Sequence, residues 1–175
     1  MRNNADEEQL AWVDEDEKLI KVIPYSLANS DPKYLHQEIA GIVYDTRHRV
    51  LLQQRALSKR VYPGVWTVTV AGHVTYGDTL EQTYHKELQE EMGIVTPHFV
   101  YLFRENVRQA TEHHYCHWYL GLYERGKITI QPEEVAAYAW VGQQDYLKFS
   151  QANTINLRTG KMLSRFWSGE WDKLL

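Results

Sequence analysis

Apolar and polar positions alternate through most of the chain, and the period changes to a helical one near the middle and again at the end. In "WVDEDEKLIKVI" an acidic turn separates two short apolar runs, which predicts a hairpin over about residues 10–22. "YLHQEIAGIVYD" and "RVLLQQR" flank the turn "DTRH" and read as a strand pair, and "YPGVWTVTVAG" reads as one further strand that stops at Gly72. From Asp78 the pattern is helical: Leu80, Tyr84 and Leu88 recur every fourth residue, Asp78 and Glu81 form a D-x-x-E capping box, and Gly93 supplies the stop. "HFVYLFREN", "YCHWYLGLYER" and "VAAYAWVG" return to strand patterning. Leu163, Phe166, Trp167, Trp171 and Leu174 keep helical spacing in a closing helix over about 157–175, expected to dock on the core, with a homodimer contact as the alternative. No repeat or linker interrupts the chain, so the pattern predicts one mixed α+β domain over residues 1–175.

The central helix breaks the amphipathic rule. With Leu88 at zero and about 100° per residue, Leu80, Tyr84 and Met92 span about −80° to about +40°, while Glu91 and Glu87 fall at about −60° and about −100°. Glu87 and Glu91 therefore crowd the apolar stripe, with Glu90 within one turn of both and only Lys86 beside them in sequence. Like charges one turn apart next to buried groups repel without compensation, and a divalent cation with hard oxygen ligands, Mg²⁺ or Mn²⁺, resolves the conflict. Gly72 ahead of the helix gives the backbone room to approach a ligand or lend a carbonyl, and Gly77 makes the turn into it.

Composition narrows the function classes. A formal charge of −4 and pI near 6.1, with no Lys/Arg run, argue against a nucleic-acid binder. No apolar run approaches about 18 residues, and the opening "MRNNADEEQL" is polar and acidic, so a cytoplasmic protein without membrane attachment is expected. Cys116 is the only cysteine, which excludes an internal disulfide and a zinc finger.

The stretch Gly72, five residues, Asp78, seven residues, then Lys86-Glu87-Leu88-Gln89-Glu90-Glu91-Met92-Gly93-Ile94 resembles the box of the Nudix hydrolases, G-x5-E-x7-R-E-U-x-E-E-x-G-U, with Asp78 and Lys86 in place of glutamate and arginine. In the family that arginine orients a neighbouring carboxylate by planar contacts that lysine does not copy. "LLQQRALSKRVYPGVWTVTVAGH" is similar to the branch that contains isopentenyl-diphosphate isomerase, over roughly residues 10 to 145. The resemblance implies an α/β/α sandwich with a mixed sheet and a small-molecule diphosphate substrate. It implies metal ligation by Glu87, Glu91 and the Gly72 carbonyl, with Glu90 as ligand or base, Glu133 and Glu134 as loop candidates for the base, and Arg55 and Lys59 gripping the diphosphate, Arg104 and Arg108 being weaker candidates.

Isomerases of that branch carry a catalytic cysteine just before the Gly-His pair, where this chain has Ala71, and a catalytic glutamate where it has His114. They keep only the last carboxylate of the box, whereas all three stand here, so the resemblance favours hydrolysis; isomerisation and a non-catalytic ligand-binding module remain the alternatives. His36, His73, Glu112 and His114 align with metal-ligand positions of the isomerase branch, and Asn29 occupies a third histidine position. Strand alternation puts Glu112 and His114 on one face. These four residues imply either a second, transition-metal site or a hydrogen-bonded polar cluster. Subfamily signatures for the leaving group are absent; Ala110 stands where an ADP-ribose enzyme has proline.

Overall fold

The computed structural model describes residues 7–174. The predicted hairpin is present as β1 (Gln9–Val13) and β2 (Leu19–Pro24), followed by a one-turn helix α1 (Tyr25–Ala28). Strand β3 (His36–Asp45) then begins the main sheet, with β4 (Val50–Arg55), β5 (Trp66–Thr67), β6 (Val70–His73), β7 (His98–Arg108), β8 (His113–Tyr123) and β9 (Val135–Val141). Helix α2 (Leu80–Met92) lies between β6 and β7, and α3 (Gln143–Ala152) and α4 (Leu157–Trp167) follow β9.

The sheet is mixed: β3 runs parallel to β8 over ten residue pairs, and the other strand pairs are antiparallel. Its faces separate by strand alternation. On β3, Ile39 and Val43 pack with Tyr84, Leu88 and Met92 of α2, whereas Ala40, Ile42 and Tyr44 pack with Met162, Leu163 and Phe166 of α4. Helices on both faces of a mixed sheet make the expected α/β/α sandwich.

One irregularity creates the site. β3 and β4 pair only through Val43–Leu51 and Tyr44–Val50; beyond that they part, β6 taking over beside β3 and β5 beside β4. Thr69, buried between β5 and β6, spans the split: its hydroxyl accepts from the Val43 amide at 2.8 Å and donates to the Leu51 carbonyl at 2.6 Å. The single strand expected over "YPGVWTVTVAG" is therefore two strands, because its middle bridges both sides of the split instead of lying in one ladder.

Two other expectations need correction. The cap of α2 is Thr79, whose hydroxyl accepts from the Gln82 amide while Gln82 answers the Thr79 amide, so the box is Thr79/Gln82 and Asp78 pairs with Lys86 instead. The closing helix stops at Trp167; Gly169 at φ +77 turns the chain into a 3-10 turn (Asp172–Leu174) that brings Trp171 back to the core, and Leu175 lies outside the described residues. Helix α3 was not expected from the sequence, because it buries no residue and shows little apolar periodicity.

Candidate active site

At the open end of the split, a cleft passes from the α2 side of the sheet to the α4 side in two adjoining lobes that share Tyr25, Arg55, Ala71, Gly72 and His73. The first lobe, about 380 Å³, is lined by Glu87, Glu90 and Glu91 from α2, Glu134 from the loop before β9, Arg55 and Lys59 from the end of β4 and its loop, and Glu8 from the chain just ahead of β1. Glu91 is buried, Glu87 half-buried and Glu90 exposed, so the three carboxylates descend from rim to floor as the helical wheel predicts. Gly72 faces Glu87 so closely that a Cβ on residue 72 would meet Glu87 Cδ at 2.7 Å.

The electrostatics of this floor are strained in a way that a bound cation would relieve. Burial, reinforced by Glu90, pushes the Glu87 carboxyl up to about 7. Burial, opposed by a hydrogen bond from Gln53 and reinforced by Glu87, pushes Glu91 up to about 8. Two acids that resist ionising in the protein alone become stable carboxylates when a divalent ion supplies the missing positive charge. Their oxygen donors fit Mg²⁺ or Mn²⁺. Lys59 and Glu134 form an ion pair at the edge of the lobe, while Arg55 is steadied by Nε donating to the Val61 carbonyl at 3.0 Å.

The second lobe, about 290 Å³, opens toward α4 and has His73, His114, Glu112 and Glu38 in its wall, with His36 directly behind. The topology assembles them: His36 is paired in register with His114 across β3 and β8, and Glu38 with His73 across β3 and β6. Glu112 Oε1 is the hub, 3.1 Å from His114 Nδ1, 3.4 Å from His73 Nε2 and 3.8 Å from His36 Nε2. Glu38 Oε2 lies 3.5 Å from His114 Nε2. Burial would raise the Glu112 carboxyl, but the imidazoles of His114, His36 and His73 outweigh it and hold the group far below the carboxylate range. Burial lowers and the Glu112 contact raises His73, with a net rise. His36 Nε2 and both ring nitrogens of His114 are buried without a hydrogen-bond partner of proper geometry. One donor atom each from His36, Glu112 and His114, and likewise from Glu38, His73 and Glu112, falls within 4.8 Å of the others, so this donor set fits a transition metal.

Gly72, Glu87, Glu90, Glu91, Arg55, Lys59, His36, His73, Glu112 and His114 all lie in this one cleft or its wall. Arg104 and Arg108 do not: Arg104 pairs with Glu17 and Arg108 contacts His113. Glu133 is not among the residues lining the cleft, whereas Glu134 is. Cys116 is fully buried in the core. Missed in the sequence were Glu38, which strand alternation places on the His36 face, and Gln53, Glu8 and Arg158, for which no local pattern exists.

Comparison with known proteins agrees with the fold. An isopentenyl-diphosphate Delta-isomerase of Nocardia farcinica is 33% identical over 134 residues, spanning 74% of this chain and 76% of that enzyme. The protein of the same name from Burkholderia multivorans is 32% identical over 139 residues, spanning 77% and 78%. Among solved structures, DR0079 from Deinococcus radiodurans has a TM-score of 0.75 at 16% identity, covering 91% of this chain and 99% of that one. The NUDIX domain of Shewanella oneidensis NrtR, solved in complex with ADP ribose, has a TM-score of 0.61 at 22% identity, covering 87% and 100%. At those identities the likeness concerns the fold. The sequence profile described as NUDIX domain matches residues 34–166, and the chain belongs to the Nudix family.

Proposed function

We propose that the protein is a divalent-metal-dependent pyrophosphohydrolase that cleaves the diphosphate linkage of a small phosphorylated metabolite or nucleoside diphosphate derivative. The observation that carries this reading is the first lobe, where Glu87, Glu90, Glu91 and Glu134 meet Arg55 and Lys59 around one cavity. Glu87, Glu90, Glu91 and the Gly72 carbonyl would hold Mg²⁺ or Mn²⁺, which when bound would supply Lewis-acid polarisation of phosphoryl oxygens and acidify water. Arg55 and Lys59 take the remaining phosphate charge by charge-assisted hydrogen bonds. Glu134 accepts the proton of the attacking water as its oxygen bonds to phosphorus, and the bridging P–O electron pair leaves with the departing phosphate. In the second lobe His36, Glu112 and His114, or Glu38, His73 and Glu112, would hold a transition metal, the imidazole nitrogens left without hydrogen-bond partners supplying lone pairs as donors.

The relatives' names favour a second reading, isomerisation of an allylic diphosphate. Against it, residue 71 is alanine, and the one thiol of the chain is sealed in the core with its ionisation pushed up by burial. Phosphate release from a panel of diphosphates with Mn²⁺, run beside conversion of isopentenyl diphosphate, tests both: release alone supports hydrolysis, conversion overturns it, and ligand binding with neither reaction identifies a non-catalytic module.

A further inference from the structure

Strand β4 carries an anomaly. Leu51 and Leu52 are fully buried and apolar, yet Gln53 beside them is 2% exposed and ends in a primary amide. A leucine would fill a sheet interior without a polar group to satisfy, so a buried amide calls for a specific partner. Alternation puts Gln53 on the Leu51 face, the one covered by α2. There its Nε2 donates to Glu91 Oε2 at 2.9 Å, across 38 positions of sequence.

We propose that Gln53 is the positioning residue for Glu91: its amide pins Oε2 and so leaves Oε1 as the oxygen offered to the cation. The inference rests on the reading of Glu91 as a metal ligand. Three features make Gln53 suited to the task. An amide N–H only donates, so it selects the orientation in which the carboxylate accepts. Its backbone is fixed on both sides, Gln53 pairing with Thr67 on β5 and Tyr138 on β9, so the donor does not drift. Both groups are buried, so water does not compete for the bond. The cation of the box is engaged elsewhere: Lys86 Nζ is 3.7 Å from Asp78 Oδ2.

The test is Mn²⁺ affinity by titration calorimetry, with the metal-free melting temperature as a check on folding. Gln53→Met keeps the length and removes the donor; Gln53→Asn keeps the amide and shortens its reach, and serves equally if the first variant fails to fold. Hydrogen-bond partners of metal ligands typically contribute about 10–100-fold to metal affinity, so a loss of about tenfold or more is expected in either variant. In a Glu91→Gln background, the residual affinity held by Glu87 and Glu90 should change less than about twofold on adding Gln53→Met, because Gln53 acts through Glu91. Wild-type Mn²⁺ affinity in Gln53→Met, or an equal loss in both backgrounds, overturns the proposal. If Glu91→Gln alone binds Mn²⁺ like the wild type, the metal-ligand reading itself fails, and the two failures are thereby distinguished.

Discussion

Gly72 and Glu87 are packed so tightly that residue 72 has no space for a side chain: a Cβ there would lie 2.7 Å from Glu87 Cδ and 2.8 Å from its Cγ. The obstructing atoms belong to the end of a flexible side chain, so an added methyl displaces the carboxylate and spares the fold. We predict that Gly72→Ala folds with a melting temperature close to wild type without metal, yet loses about 10²-fold in turnover, the scale set by a misplacement of about 1 Å. A Gly72→Ala enzyme of wild-type rate would show that Glu87 need not stay where it is.

Stability should depend on pH through the same carboxylates. Burial and mutual repulsion raise Glu87 to about 7 and Glu91 to about 8 from 4.5, so between these values the folded protein binds more protons than the unfolded chain. The resulting stabilisation is fully present below 4.5 and is lost as pH rises through 7 and 8. Saturating Mg²⁺ should remove that fall, because the cation replaces the protons. The His73 imidazole contributes a fall of the same sign, so melting curves of Glu91→Gln isolate the carboxylate share. Metal-free Glu91→Gln should lose less stability toward alkaline pH than the wild type, show little metal-dependent stabilisation, and have no turnover. Turnover at the wild-type rate under saturating Mg²⁺ would rule out the carboxylate-metal assignment.

What the sequence disclosed, and what it hid, follows the range of the interactions. Glu87, Glu90 and Glu91 were legible because a helix fixes side-chain direction over one turn, and the structure keeps their gradient of burial. His36, His73, Glu112 and His114 were legible only through resemblance, since strand register decides that they meet. Glu38 was within reach of the alternation argument from His36. Gln53 was not, because nothing in "VLLQQR" tells a core amide from a surface one until α2 is laid over it 38 residues later. The Thr79 cap differed from the expected Asp78 by one position because both residues are good caps, and the ion pair with Lys86 claims Asp78.

For the histidine cluster, we expect purified protein to contain a transition metal that is lost in the double variant His73→Ala plus His114→Ala, with Mg²⁺ binding at the carboxylates retained. The three unpartnered imidazole nitrogens of His36 and His114 motivate this expectation. Unchanged elemental content in the variant, or no transition metal in either protein, would reduce the cluster to a polar wall of the second lobe.

The pairing of Lys59 with Glu134 suggests how substrate arms the base. Both side chains are about two-thirds or more buried, at 29% and 31% exposure, and both line the lobe that holds the box carboxylates. In this ion pair Glu134 Oε2 is occupied by the Lys59 ammonium. A diphosphate carries more negative charge than one carboxylate and competes for Lys59; once the ammonium turns to it, Glu134 Oε2 is freed to accept from a water, as its proposed role requires. The two residues should then separate kinetically. Glu134→Gln should lower kcat by about 10²–10⁴-fold, the usual contribution of a general base, with little change in KM. Lys59→Met should act mainly on KM, because it removes a grip on the substrate's charge and at the same time relieves Glu134 of its partner. If Glu134 served only to hold Lys59 in place, Glu134→Gln would resemble Lys59→Met in raising KM and would spare kcat, and the base would have to be sought at Glu90 instead.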